Sequence, residues 1–261
     1  MKTKIYFIFM LLLCVSFSNF YSQTLDDLIT KGDKFYKEFN NQKALETYLE
    51  ADKKFTNNYE VLWRISRAYV DIAEHMPANN GAQEDAQLAV FQKALDFAER
   101  AVKADPKQSV CYLRRAIANG KIALFKGVFS VAGVVNKVKE DCEKAISLGN
   151  GGNEIQGVTH YVLGRTHAKI SEKWAPARAV LGLGWADIDI ALKEYKKAIE
   201  LKPNFVMFYV DYAASLMEED RFETAKEMLK KALSSPIEDE DDSEKKKEAK
   251  ELMKEVDEEL N

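Results

Sequence analysis

Apolar and small residues return along this chain three and four positions apart, with lysine, glutamate and aspartate between them. That is the stripe of an amphipathic helix, not the alternation of a half-buried strand. Near the start, Leu28, Gly32 and Phe35 share one such face and Ala44, Tyr48 and Ala51 the next. The segment KALDFAERAVKADPK places Ala94, Ala98, Ala101 and Pro106 at the spacing at which ALKEYKKAIELKPNF places Ala191, Tyr195, Ala198 and Pro203. From Val206 onward, Tyr209, Ala213 and Leu216 are followed by Ala225, Leu229 and Ala232. The pattern predicts paired helices, with turns at breaks such as Gly149 to Gly152.

The period is that of the tetratricopeptide repeat, a helix–turn–helix unit of about 34 residues. Its spacing has a steric cause. Small residues facing each other within a pair, such as Gly32 with Ala44 and Ala213 with Ala225, let two antiparallel helices approach closely. Larger residues fill the space to the next pair, and a proline stops the second helix where the chain must turn. The expected fold is therefore all-α, a tetratricopeptide-like solenoid of five degenerate repeats over residues 23–239, starting near Leu25, Tyr59, Ser109, Gly157 and Val206. Thr24 and Asp27 read as a capping box for the first helix. Repeats two, three and four carry about sixteen, ten and fifteen extra residues. Two insertions are apolar, Leu124 to Val138 and Trp174 to Trp185, and are expected to cover gaps in the core; the alternative is a patch that grips a partner or a membrane surface. After Pro236 the acidic run Glu238 to Asp242 reads as a solvated turn, without the ligand spacing or central glycine of a calcium loop. Residues 243–261 then form a closing helix with Ala249, Leu252, Met253 and Val256 on one face.

The first residues have a different pattern. Lys2 and Lys4 precede an unbroken apolar run from Ile5 to Val15, and small polar residues follow. This is the form of a secretory leader over residues 1–22, cleaved after Ser18 or after Ser22. Eleven apolar residues are too few to cross a hydrocarbon core of about 30 Å. Export to a periplasm or the exterior is expected; the alternative is an N-terminal anchor reaching Tyr21.

Composition narrows the class. Of 261 residues, 46% are hydrophobic and 31% charged, with 12 Gly and 5 Pro, which suits a helical globular protein and excludes collagenous or disordered chains. A net charge of −4 gives no basic field for nucleic acid, and no membrane contact is expected. Beyond the leader only Cys111 and Cys142 remain, expected as buried thiols and, alternatively, as a pair in an oxidising compartment.

The search for chemistry is mostly negative. GxSxG, P-loop, GxGxxG and HExxH motifs are all missing from the sequence. His160 and His167 share a helical face but stand about 10 Å apart along the axis, too far for one ion. They fall at core positions of the repeat. No enzyme activity, metal or cofactor is expected. The repeat register does suggest a binding groove, because first helices line the concave side of such arrays. It places Trp63, Arg64 and Arg67 of repeat two, Arg114 of repeat three, and Tyr161, Arg165 and Lys169 of repeat four along that side. An aromatic ring with arginine one turn later fits a protein or peptide carrying acidic and apolar groups. The alternative makes Trp63 and Tyr161 core and pairs the arginines with neighbouring acids. Asp33 stands where a carboxylate-clamp repeat has Asn, so capture of a chaperone tail is disfavoured.

Three stretches add a narrower resemblance. LWRISRAYVDIAEH at residues 62–75, the interrupted repeat at residues 160–205, and SSPIEDEDDSEKKKEAKELM at residues 234–253 together resemble the regulator of microtubule dynamics family. The likeness spans roughly residues 59–255. It implies a tetratricopeptide-type helical fold and, for animal members, association with microtubules at spindle poles, mitochondria or the endoplasmic reticulum. It implies no catalytic residues. The expected function is a non-catalytic protein-interaction scaffold, with a cytoskeletal regulator as one alternative and a ligand carrier or enzyme using the apolar insertions as another.

Overall fold

In a computed structural model, which describes residues 24–127 and 129–261, the chain is a succession of helix hairpins without a strand among the described residues. The leader reading lies outside the described residues. The first two hairpins are α1 (Leu25–Lys37) with α2 (Asn41–Lys54) and α3 (Tyr59–Glu74) with α4 (Gly81–Ala104). Next come α5 (Ser109–Lys126) with α6 (Ala132–Leu148), then α7 (Gly152–Ser171), the short α8 (Ala175–Val180) and α9 (Ile188–Leu201). The last hairpin is α10 (Val206–Met217) with α11 (Phe222–Ser234), and α12 (Asp242–Glu259) packs over both.

Local chemistry explains where helices start. Thr24 Oγ1 accepts the Asp27 N–H at 3.1 Å and the Asp27 carboxylate accepts the Thr24 N–H at 3.0 Å, a closed capping box. Asn40, Asn58, Asn80 and Asp187 cap α2, α3, α4 and α9 through their side chains. α7 opens at Gly152, more than a turn before Gly157, because Gly149 and Gly151 take left-handed conformations that end α6 and restart the chain at once.

Close approach within hairpins depends on small residues. A Cβ at Gly32 would run into the Tyr48 ring, so the partner of this glycine is Tyr48, one turn beyond Ala44. A Cβ at Gly164 would come within 3.1 Å of the Ala191 carbonyl oxygen. Around these contacts Leu28, Ile65, Leu113, Tyr195, Phe208 and Leu229 are fully buried.

The extra residues of repeat two lengthen α4 and its entry loop. The two apolar insertions pack against each other. Leu183 and Ala186 are buried in one cluster with Ala123, Val135 and Ile170, and the Trp185 ring closes it while its Nε1 donates to Asn136 Oδ1 at 2.7 Å. Trp174 and Val180, at the start and end of α8, stay exposed. Cys111 and Cys142 are free, buried thiols in separate clusters, so the disulfide alternative is not formed. Burial pushes Cys111 up to about 12 and Cys142 well above the ordinary thiol range, which leaves both unreactive.

One local expectation is overturned. The acidic run 238–242 is not a solvated turn. Asp242 is buried with 1% exposure, and its Oδ2 accepts the backbone N–H groups of Glu238 and Asp239 at 2.7 and 2.8 Å. This brace folds the run back toward the concave side of the array, where Asp239, Glu240 and Asp241 are half-buried. Charge counting places these acids in water because it sees composition and not the surface they fold onto.

Candidate functional site

The first helices of the hairpins, α1, α3, α5 and α7, face a common hollow. It consists of two adjoining spaces of about 280 and 730 Å³ that share Tyr36, Arg67, Arg114, Glu154, Lys202, Glu238 and Asp239 as walls. The smaller space is apolar on its inner side, where Val70, Ile117, Val138, Val162, Ile170 and Phe205 meet. The larger is walled by Trp63 and Arg64 and opens beside the acidic run. Neither is lined by a histidine or cysteine among the described residues.

The arginines fall into three states. Arg64 is fully committed: its Nε and Nη2 grip Asp33 at 2.9 and 3.1 Å, and its Nη1 reaches Glu60 Oε2 at 2.5 Å. Burial works against its charge, but Asp33 and Glu60 outweigh that and raise its pKa. Arg67 is half committed. Its guanidinium lies 3.4 Å over the Tyr36 ring and 3.5 Å from Asp33, while its buried Nε has no hydrogen-bond partner among the described residues. Arg114 has no carboxylate within ion-pair distance among the described residues; its Nε is buried and unpartnered, and the Trp63 ring stands 5.6 Å from its guanidinium. Burial first, and the neighbouring Arg67 charge second, pull Arg114 down to about 10. Asp71 lies beside them with an unpartnered Oδ2, and burial pushes its carboxyl up to about 7 despite both arginines.

Trp63 sits between these groups as a half-buried plate. Its Nε1 donates to Glu60 Oε2 at 2.9 Å, and Arg64 and Arg67 stand 4.2 and 4.9 Å from its ring centre. Tyr161 is different from the expectation that grouped it with Trp63. Its ring is buried and stacked on Phe208 at 4.7 Å, and its hydroxyl donates to Asp211 Oδ2 at 2.7 Å, so it is core that touches the hollow only at an edge. Arg165 lies 3.2 Å from the same Asp211 oxygen, with a pKa raised first by Tyr161. Lys169 stands exposed on the rim beside Glu172 at 2.6 Å. The pairing alternative therefore holds for Arg64 and Arg165 and partly for Arg67, and Arg114 alone of these four has no ion pair among the described residues, while all four line the hollow. His160 and His167 are satisfied structural residues: one ring meets Glu194 at 2.5 Å and the other accepts the Asp187 N–H at 3.2 Å. No group of three metal-ligating side chains converges among the described residues.

Sequence reasoning missed Asp71, Lys202 and the acidic run. Asp71 stands one turn after Arg67 on the same helix, a spacing that was legible. Lys202 and the run belong to the far end of the chain and reach the hollow only through the curvature of the array.

A curved array of helix hairpins around a partly apolar hollow, lined by cations and carboxylates alike, defines a helical repeat protein of the tetratricopeptide class. This chain belongs to the family described as "Regulator of microtubule dynamics protein 1-3", whose profile matches residues 28–257. It is 27% identical over 236 residues to Regulator of microtubule dynamics protein 2 of Mus musculus, covering 88% of this chain and 55% of that protein. With Regulator of microtubule dynamics protein 3 of Bos taurus it shares 30% identity over 200 residues, covering 74% of this chain and 40% of that one. The chain thus spans about half the length of the curated relatives it matches, 55% for the mouse protein. Among solved structures, a thermophilic TPR protein of Thermus thermophilus superposes with a TM-score of 0.60 at 17% identity, covering 88% of this chain and 100% of that one. PilW, a type IV pilus biogenesis factor, superposes with a TM-score of 0.57 at 15% identity, covering 91% and 92%. These two likenesses establish the fold.

Proposed function

We propose that this protein is a non-catalytic scaffold that seats an acidic segment of a protein partner in its concave hollow. The observation that carries this reading is Arg114. A guanidinium set deep in a hollow, without an ion-paired carboxylate to compensate it, is costly to maintain. That cost is met when an incoming carboxylate makes a bidentate contact with it and with Arg67. The Trp63 plate and the apolar inner wall supply seats for neighbouring side chains of the same segment. Charge reversal at Arg67 and Arg114 together should abolish capture of the partner from source cells while the helical circular-dichroism signal is kept. Undiminished capture by the reversed variant would refute the reading. Arg165 also lines the smaller space but is a poorer choice for this test because Asp211 already stands within ion-pair distance of it.

A second reading rests on the relatives, named as regulators of microtubule dynamics, and makes the partner cytoskeletal. It conflicts with the export leader proposed for residues 1–22, so mass spectrometry of the native N-terminus separates the two. A mature start at Asn19 or Gln23 favours an exported scaffold; an intact Met1 favours the cytoskeletal partner. The apolar inner wall of the smaller space also suits a carrier of a small amphipathic anion, which would show as a compound released when the purified protein is denatured.

A further inference from the structure

The chain that links α11 to α12 does more than join them. After Pro236 it leaves the last hairpin and crosses the mouth of the hollow to the first two hairpins. Glu240 Oε1 accepts from Asn41 Nδ2 at 2.7 Å, a contact between residues 199 apart in sequence. Asp241 Oδ1 lies 3.1 Å from His75 Nε2 at the end of α3, and Glu238 accepts from Asn204 at 3.2 Å. Glu238, Asp239 and Asp241 form part of the wall of the smaller space, and Glu238, Asp239 and Glu240 of the larger. The strap is held in this shape from within by the Asp242 brace and by Lys246 Nζ donating to the Ser235 carbonyl.

An acidic connector normally stays in water, since burial disfavours a carboxylate. Here burial pushes the carboxyls of Asp239 and Glu240 above their ordinary range. The strap carries four acids, Glu238 to Asp241, across a hollow whose floor holds Arg114, which has no ion pair among the described residues and an unpartnered Nε. None of the four is within ion-pair distance of Arg67 or Arg114, so the strap covers the seat without filling it. We propose that the strap 236–241 is an intramolecular gate which occupies the approach that an acidic partner segment takes, and that the partner binds by displacing it. This rests on the acidic-segment reading above and adds its regulation. A tethered competitor acts at an effective concentration of order millimolar, so it raises the apparent dissociation constant of any acidic segment it excludes.

The test uses the full chain and a synthetic peptide of residues 234–243 added in trans as the probe. The gate variant is Glu240→Ala with Asp241→Ala, which removes the acceptors for Asn41 and His75 and leaves the Asp242 brace untouched. The seat variant is Arg67→Glu with Arg114→Glu. The probe should bind the gate variant at least tenfold more tightly than wild type, with an unchanged helical signal, and the gate variant should show a larger radius of gyration by small-angle scattering. Equal affinity for wild type and gate variant, including binding to neither, overturns the gate. The seat variant separates this from failure of the binding reading. Tighter binding to the gate variant that survives Arg67→Glu with Arg114→Glu, introduced into that variant, leaves the gate standing and removes the arginine seat. Equal affinity that is lost in the seat variant leaves the seat and removes the gate.

Discussion

At the scale of the residue, the arginines of the concave side are separated by what compensates each charge. Arg64 has two carboxylates and Arg165 one; Arg114 has none within ion-pair distance among the described residues. A group kept at a cost to stability is most simply explained by its use in binding. Replacing Arg114 by Leu is therefore expected to leave the fold as stable or more stable, by up to about 1 kcal/mol in chemical denaturation, while lowering affinity for an acidic partner at least tenfold. Loss of stability by more than about 2 kcal/mol would show that Arg114 is a structural residue. The sequence register found Arg67 and Arg114 because repeat positions fix which side of a helix faces inward. It failed to separate Arg114 from the paired arginines, since Asp33, shared by Arg64 and Arg67, and Asp211 lie 31 and 46 residues from Arg64 and Arg165 along the chain. It also grouped Tyr161 with Trp63 by position, although Phe208 from α10 stacks on the Tyr161 ring while Trp63 stays half-buried.

At the scale of the element, the hairpins were legible because their rule is local: small residues where helices touch, large ones between pairs. The insertion 174–185 was half legible. Its apolar content announced burial, but which side would be buried depended on α6 and α7. Leu183 became the plug and Val180 stayed in solvent. Leu183→Ala should cost about 2–4 kcal/mol of unfolding free energy, and Val180→Ser less than about 0.5. The strap was not legible, because a run of acids reads as solvated unless the surface it folds onto is known. Its clasp depends on His75. That ring faces two acceptors, the Asp71 carbonyl at 2.7 Å from Nδ1 and Asp241 Oδ1 at 3.1 Å from Nε2, and satisfies both only as the doubly protonated cation. The Asp71 carbonyl first, then Glu240 and Asp241, raise its pKa. A group raised on folding stabilises fully below its ordinary value of about 6.5 and ceases to do so as pH rises through the raised value. Asp71, held near about 7, becomes charged over the same interval and faces Glu240 with like charge. From α5 the charged groups near this end are Arg114, beside Asp71, and Lys121, paired with Glu74. Both titrations loosen the clasp in the same direction. Spin labels at residues 42 and 237 should report a short distance at pH 6 that lengthens by pH 8.5. His75→Gln should be loose at both values, and a wild-type distance that ignores pH would remove the histidine from the clasp.

At the scale of the whole molecule, the hairpins curve far enough for a segment next to the last helix to touch the first two of them. Only that curvature brings Lys202 and the strap to Arg67 and Arg114, so the site belongs to the array and to no single repeat. Family membership fixes the fold and leaves the partner to the chemistry of the hollow. The most direct test of that chemistry is site-specific photo-crosslinking in source cells, with the reactive group at Ile117 inside the hollow or at Lys196 on α9. Crosslinks from Ile117 to an acidic segment of another protein, missing from Lys196 and lost on adding Arg114→Leu, are the predicted result. Partner crosslinks from Ile117 that persist undiminished after Arg67 and Arg114 are both reversed would contradict the account.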